Sequence, residues 1–156
     1  MIKFIDGDIR NSNANLICHQ TNCQGKMNSG VAKAIRDKWF NVYQAYLTAY
    51  EYGEINLGTV IPARITRTQW IMNMCAQDKY GYDGKIYTNY EALQKCLNKV
   101  CVMCTFLKDF YEITPTIAFP YKMSCCRGGG NWDIVLDMID KTFVDYNVEI
   151  WRLDND

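Results

Sequence analysis

Two glycine-bearing stretches constrain this chain more than anything else in it. The first runs Asn22-Cys23-Gln24-Gly25-Lys26-Met27-Asn28-Ser29-Gly30-Val31-Ala32-Lys33-Ala34-Ile35, the second Ser124-Cys125-Cys126-Arg127-Gly128-Gly129-Gly130-Asn131-Trp132. Each follows an apolar run that reads as a strand and leads into an apolar-periodic run that reads as a helix. A small-residue loop at that junction presents backbone N–H groups at the positive end of a helix dipole, where phosphate binds. Two such loops suggest a ligand with two phosphates, or with one phosphate and another anionic or hydroxylated group.

The runs between these loops alternate. Strands are expected at Ile2 to Ile5, Asn15 to Gln20, Gly58 to Ile65, Gln69 to Cys75, Pro115 to Pro120 and Val148 to Leu153. Helices are expected at Val31 to Trp39 and Val42 to Tyr52. A long helix carries the seam Leu93, Leu97, Val100, Cys104 and Leu107, capped by Thr88 or Asn89. A last helix shows Trp132, Val135, Leu136, Ile139 and Phe143 on one face. Strands alternating with helices, with one hairpin-like pair around Arg67-Thr68, predict a three-layer α/β/α sandwich around a mixed, mostly parallel six-stranded sheet. At 156 residues, the expectation is a single domain spanning 1–156. In open α/β sheets ligands sit beyond the carboxyl ends of the strands, and both glycine loops fall there.

Charge narrows the partners. The 17 basic and 17 acidic side chains balance, so no basic excess exists to drive nucleic-acid or anionic-membrane binding. No run is long enough to span a membrane, and Met1 to Asp6 lacks the apolar core of a signal peptide, so the expected location is cytoplasmic. The eight cysteines then read as thiols, not disulfides. Cys101 and Cys104 have metal-ligand spacing but lie on a helical run where both serve as small core residues. Neither a metal nor another cofactor is expected.

Taken together, these motifs resemble a macro domain, the ADP-ribose-binding fold, over nearly the whole chain. Gly7-Asp8-Ile9, the strand ending Cys18-His19-Gln20-Thr21-Asn22, the gapless interval to Val31, and Phe119-Pro120 before Ser124 to Gly129 carry the resemblance. The pattern around His19, Asn22 and Cys23, with Ala76-Gln77-Asp78 and Asn131-Trp132, is closest to a branch of microbial and phage proteins that process ADP-ribose-1″-phosphate.

The resemblance implies a role for each piece. Asp8 accepts a hydrogen bond from the adenine amine, with Ile9 beside it; the competing reading is an Asp8 that caps its own turn. Asn22 bonds the distal ribose, or else braces its loop. Asn28, Ser29, Gly30 and Val31 approach the diphosphate and distal ribose from one side. Ser124, Cys125, Cys126, Arg127, Gly128 and Gly129 wrap the diphosphate from the other. His19, the only histidine, is either a satisfied structural group or a general acid/base.

Related glycohydrolases pair a lysine after the fourth strand with an aspartate in the second loop. Gln77 and Gly128 stand at those positions here, and neither can take the role. Any hydrolysis of a terminal phosphate or an ADP-ribosyl ester would therefore use a bound water positioned by His19, Asn22 or Asp78. The alternatives are a non-catalytic reader of ADP-ribose, a related NAD-derived nucleotide or ADP-ribosylated protein, and a scaffold protein with a decayed cleft. Cys125 and Cys126, near a helix N-terminus, read either as small loop residues or as a reactive thiol.

Overall fold

The computed structural model describes residues 1–79, 85–125 and 128–153. The described residues form strands β1 (Ile2–Asp6), β2 (Leu16–Asn22), β3 (Val60–Thr66), β4 (Gln69–Gln77), β5 (Thr116–Pro120) and β6 (Asn147–Arg152). Helices are α1 (Gly30–Lys38), α2 (Phe40–Glu51), α3 (Tyr90–Tyr111) and α4 (Trp132–Thr142), with a single 3-10 turn at Ile9–Asn11. The six strands make one sheet in the order β1-β6-β5-β2-β4-β3. Only the β3–β4 pair is antiparallel, through the expected hairpin. Pro62 sits in β3, at the sheet edge, where a missing N–H costs no ladder bond.

Why the central strands lie where they do is visible in their side chains. Successive residues of a strand point to opposite faces. Leu16 and Cys18 face one core, Ile17 the other; Ile117 and Phe119 split from Ala118 in the same way. Both faces are apolar because both are covered, as parallel strands require. The core against α3 and α4 holds Leu93, Leu97, Val100 and Leu107 from the seam read in the sequence, together with Val135 and Ile139. The core against α1 and α2 holds Met27, Ile35, Val42 and Tyr46. The result is the expected three-layer sandwich.

Side-chain caps fix two helix starts. Asn89 accepts from the Ala92 N–H at 2.9 Å and opens α3; Asn131 accepts from the Asp133 N–H at 2.9 Å and opens α4. Ser29, at the N-cap of α1, makes no such bond, and its hydroxyl stays uncommitted among the described residues. That difference matters because α1 begins at the cleft.

The described cysteines are free thiols. Cys104 is buried in the α3 core, and burial pushes its thiol up to about 12. Cys101 rests its sulfur 3.8 Å from the Thr142 carbonyl oxygen. Among the described residues no three His, Cys, Asp or Glu side chains gather as a metal site, and no helix is long and apolar enough to cross a membrane.

Candidate functional site

At the carboxyl ends of the parallel strands lies a cleft of about 560 Å³, within the range of small-molecule sites. Both glycine-bearing loops line it, Asn28, Ser29, Gly30 and Val31 from the first and Ser124 and Gly128 from the second. The turn after β1 brings Asp8 and Ile9, and the end of β2 brings His19 and Asn22. Elements distant in sequence therefore converge on one cavity.

The first loop is held from within. The Asn22 Oδ1 accepts from the Gln24 N–H at 2.9 Å and the Lys26 N–H at 3.4 Å, while Nδ2 donates to the Lys26 carbonyl at 3.0 Å. The Tyr46 hydroxyl, fully buried on α2, sits 2.6 Å from the Asn22 carbonyl oxygen and accepts from the Gly25 N–H at 3.1 Å. Asn22 thus braces its loop while lining the cleft. The Asn28 side-chain oxygen accepts from Arg36 on α1 at 2.9 Å.

The second loop rests on Gln20. Ser124 adopts a left-handed backbone, φ 74°, which a non-glycine residue holds only when its surroundings fix it. Its hydroxyl donates to Gln20 Oε1, and its carbonyl accepts from Thr88 Oγ1 at 2.9 Å and from the Gly130 N–H at 2.8 Å. The Gln20 amide donates in turn to Gln77 Oε1 at 2.8 Å and to Thr88 Oγ1 at 3.0 Å. Gly128 packs so closely on this net that an added Cβ would lie 2.0 Å from Thr88 Oγ1 and 2.7 Å from the Ser124 carbonyl oxygen. Gln77 and Gly128, which the resemblance placed at the glycohydrolase lysine and aspartate positions, both line the cleft and both meet Gln20.

His19 is 1% exposed. Its Nε2 lies 2.5 Å from Asn73 Oδ1, and Asn73 donates through Nδ2 to the Ile61 carbonyl at 3.0 Å. That pairing puts the ring proton on Nε2 and leaves Nδ1 as a bare lone pair without a partner among the described residues. Burial pushes the imidazole down to about 4, with the Asn73 bond opposing it weakly, so the ring is neutral near pH 7.

Asp8 caps the 3-10 turn by accepting from the Arg10 N–H at 2.9 Å, and the Arg10 guanidinium closes on the same carboxylate at 2.6 Å. The Arg10 side-chain bond holds the Asp8 carboxyl below its ordinary range. Turn cap and cleft wall are one residue.

Three of the residues read from the sequence lie elsewhere. Asp78 is exposed and does not line the cleft; its carbonyl accepts from the Cys23 N–H at 3.1 Å and from Gln24 Nε2 at 3.0 Å, tying the first loop from outside. Cys125 turns its sulfur to the Met123 carbonyl at 3.3 Å and packs against the α3–α4 core. Gly129 faces the Lys85 carbonyl, 2.6 Å from where a Cβ would be. Cys126 and Arg127 lie outside the described residues.

Other lining residues escaped the sequence reading. Lys26 of the first loop and Lys122 of the turn after β5 line the cleft with no ion pair among the described residues, Lys122 lying over the Tyr121 ring at 5.5 Å, so the cleft is locally cationic in a chain of zero net charge. Trp151 walls the end beside Gly7, its ring 3.2 Å from where a Gly7 Cβ would stand. Lys26 was in plain view inside the first motif. Nothing local marks Trp151, which reaches the site only because β6 pairs with β1.

No family model and no curated protein matches the sequence. Solved structures do match. A protein of unknown function from Bacteroides thetaiotaomicron aligns over 97% of this chain and 98% of its own with a TM-score of 0.84 at 23% identity. The macrodomain of Mycobacterium tuberculosis DarG aligns over 97% of each chain with a TM-score of 0.80 at 18% identity. This is the macrodomain fold. The Thermosipho africanus DarTG structure, described as a complex with ADP-ribose, matches 99% of this chain and 42% of its own length with a TM-score of 0.77 at 17% identity. Sequence divergence this deep, on a macrodomain frame that superimposes so closely, puts the weight of any functional reading on the cleft itself.

Proposed function

We propose that this cleft binds ADP-ribose or ADP-ribose-1″-phosphate. One observation carries the reading: both glycine loops and the start of α1 face a single cationic cavity at the strand ends. In this reading the diphosphate lies against the N–H groups of Gly30 and Val31 on one side and against Ser124 and Gly128 on the other. Lys26 and Lys122 add unpaired charge. The base lies toward Asp8, Ile9 and Trp151, and the distal ribose toward Asn22 and the free Ser29 hydroxyl. That a macrodomain neighbour is described with ADP-ribose bound supports the same ligand class.

Two fates for the bound ligand differ in what they ask of the side chains. Hydrolysis of a terminal phosphate or an ADP-ribosyl ester needs a water and a group to take its proton. The Nδ1 lone pair of His19 is the nearest candidate by chemistry, and Asn22 the nearest by position. A non-catalytic reader of ADP-ribose, of a related NAD-derived nucleotide or of ADP-ribosylated protein needs neither. The buried, neutral state of His19, the displacement of Asp78 from the cleft and the Gln77–Gln20 pair in place of a charged couple favour the reader.

Calorimetry with ADP-ribose, paired with phosphate release from the 1″-phosphate, separates the two. Binding with no release, unchanged in His19→Ala, supports the reader. Release that disappears in His19→Ala supports hydrolysis. Absence of binding at millimolar ligand overturns the ligand class.

A further inference from the structure

Glu149 is not part of the cleft wall, yet it holds a residue that is. It sits two residues before Trp151 on β6, so both side chains leave the sheet on the same face, the one covered by α1 and α2. The strand is paired on both sides, with Glu149 opposite Lys3 of β1 and Ala118 of β5, which fixes its backbone.

One carboxylate oxygen makes the connection. Glu149 Oε1 accepts from Trp151 Nε1 at 2.8 Å and from the Ser12 hydroxyl at 2.7 Å. The indole has a single donor and an oxygen has two lone pairs, so all three groups are matched. Ser12 is itself anchored. Its hydroxyl oxygen accepts from the Ala14 N–H at 3.0 Å, its N–H donates to the Ile9 carbonyl at 3.0 Å, and its carbonyl accepts from Gln69 Nε2 at 2.8 Å. The N–H bond to Ile9 closes the 3-10 turn, whose Ile9 and Arg10 line the cleft. Ser12 therefore steadies the carboxylate, and the carboxylate steadies the indole.

The ring is held at two edges. Nε1 is tied to Glu149; across the indole, Cζ3 and Cε3 lie 3.2 and 3.5 Å from where a Gly7 Cβ would stand. The last torsion of an aromatic side chain is broad, so a ring with apolar neighbours alone could tilt. A hydrogen bond at one edge and backbone at the other remove that freedom. Trp151 lines the cleft and packs on the α1–α2 core at once, so a tilt of its ring would change the shape of the cleft.

We propose that Glu149 is a positioning residue for this cleft, setting the orientation of the Trp151 ring without reaching the ligand itself. The proposal rests on the ADP-ribose-type reading above and adds to it a residue outside the wall.

The test reads the tether and its consequence separately, in the full chain. The indole N–H resonance of Trp151, identified by its loss in Trp151→Phe, should shift and exchange faster with solvent in Glu149→Leu. It should stay protected in Glu149→Gln, whose amide oxygen still accepts. Calorimetry with ADP-ribose should show binding weakened about tenfold in Glu149→Leu and recovered to within about threefold of wild type in Glu149→Gln. Ser12→Ala should weaken it in the same direction by a smaller factor. In a Trp151→Phe background, which has no indole N–H, Glu149→Leu should cost less than about threefold more. Wild-type affinity in Glu149→Leu with the indole resonance released, or an undiminished loss in the Trp151→Phe background, overturns the positioning role and leaves the ligand class standing. Should Glu149→Leu fail to fold, Ser12→Ala decides, and unchanged affinity there overturns the role. Absence of ADP-ribose binding in the wild-type chain overturns the ligand class and this role with it.

Discussion

The hydroxyl of Tyr46 lies 2.6 Å from the Asn22 carbonyl oxygen and 2.9 Å from its side-chain Oδ1, so a residue in the middle of α2 holds the strand end that opens the first loop. Tyr46 never touches a ligand in this arrangement. It positions Asn22, which lines the cleft.

Tyr46→Phe keeps the ring and removes the bond. Because the site is buried, the Asn22 carbonyl and the Gly25 N–H lose a partner they cannot replace with water, at a cost of about 1–3 kcal/mol. Urea unfolding should show that loss, and ADP-ribose affinity should fall about tenfold. An unchanged affinity in a destabilised variant would mean that the loop keeps its shape without the brace.

Gln20 is the keystone of the second loop. Gln20→Leu retains the bulk and strands Ser124 Oγ and Gln77 Oε1, while Thr88 Oγ1 keeps only its bond to the Ser124 carbonyl. The expected stability loss is about 2–4 kcal/mol, since several polar atoms are orphaned together. Thermal melting with and without ligand should show a lower midpoint and a smaller ligand-induced rise.

Two glycines make a controlled comparison. Gly128→Ala places a methyl against the Ser124 backbone, 2.7 Å away, and cannot be relieved by side-chain rotation alone. Gly53, at φ 71°, has nothing within 4 Å of its added Cβ, so Gly53→Ala carries only the left-handed backbone cost of about 1–2 kcal/mol. Gly128→Ala should be the more destabilising of the two in chemical denaturation, and it alone should abolish binding.

His19 gives stability a pH dependence. The folded ring resists protonation down to about 4, while an unfolded histidine binds a proton below about 6.5. Between those values the unfolded state holds the extra proton, so stability falls as pH drops from about 7 to 4, then levels off. The full contribution is about 3 kcal/mol. His19→Gln, which can still donate to Asn73, should flatten this limb of the curve in urea titrations at pH 7, 5.5 and 4. Parallel limbs in the two proteins would exclude His19 as its source.

The fold was legible because its signals are periodic. The seam from Leu93 to Leu107 and the apolar runs of β2, β4 and β5 can be read from spacing alone, and so could the reversal at Arg67-Thr68. The site was legible only where glycine and small residues are compulsory, at Ser29-Gly30 and Gly128. Gln20, Tyr46 and Trp151 were invisible because their roles depend on partners that are distant along the chain. Asp78 shows the limit of such reading: it follows the last residue of β4 and is exposed, its carbonyl tying the first loop from outside the cleft. The 3-10 turn after β1 gave no periodic sign, although Asp8 was rightly suspected of capping its own turn.

Trp151 belongs to β6, which lies between β1 and β5 in the sheet, while the end of the cleft it walls is otherwise built from residues beside β1. A nascent chain that has delivered Asp8 and both glycine loops still lacks this wall. A product cut short before β6 would therefore lack one wall of the cleft, and β1 would lose its strand partner, however well the remaining layers had collapsed.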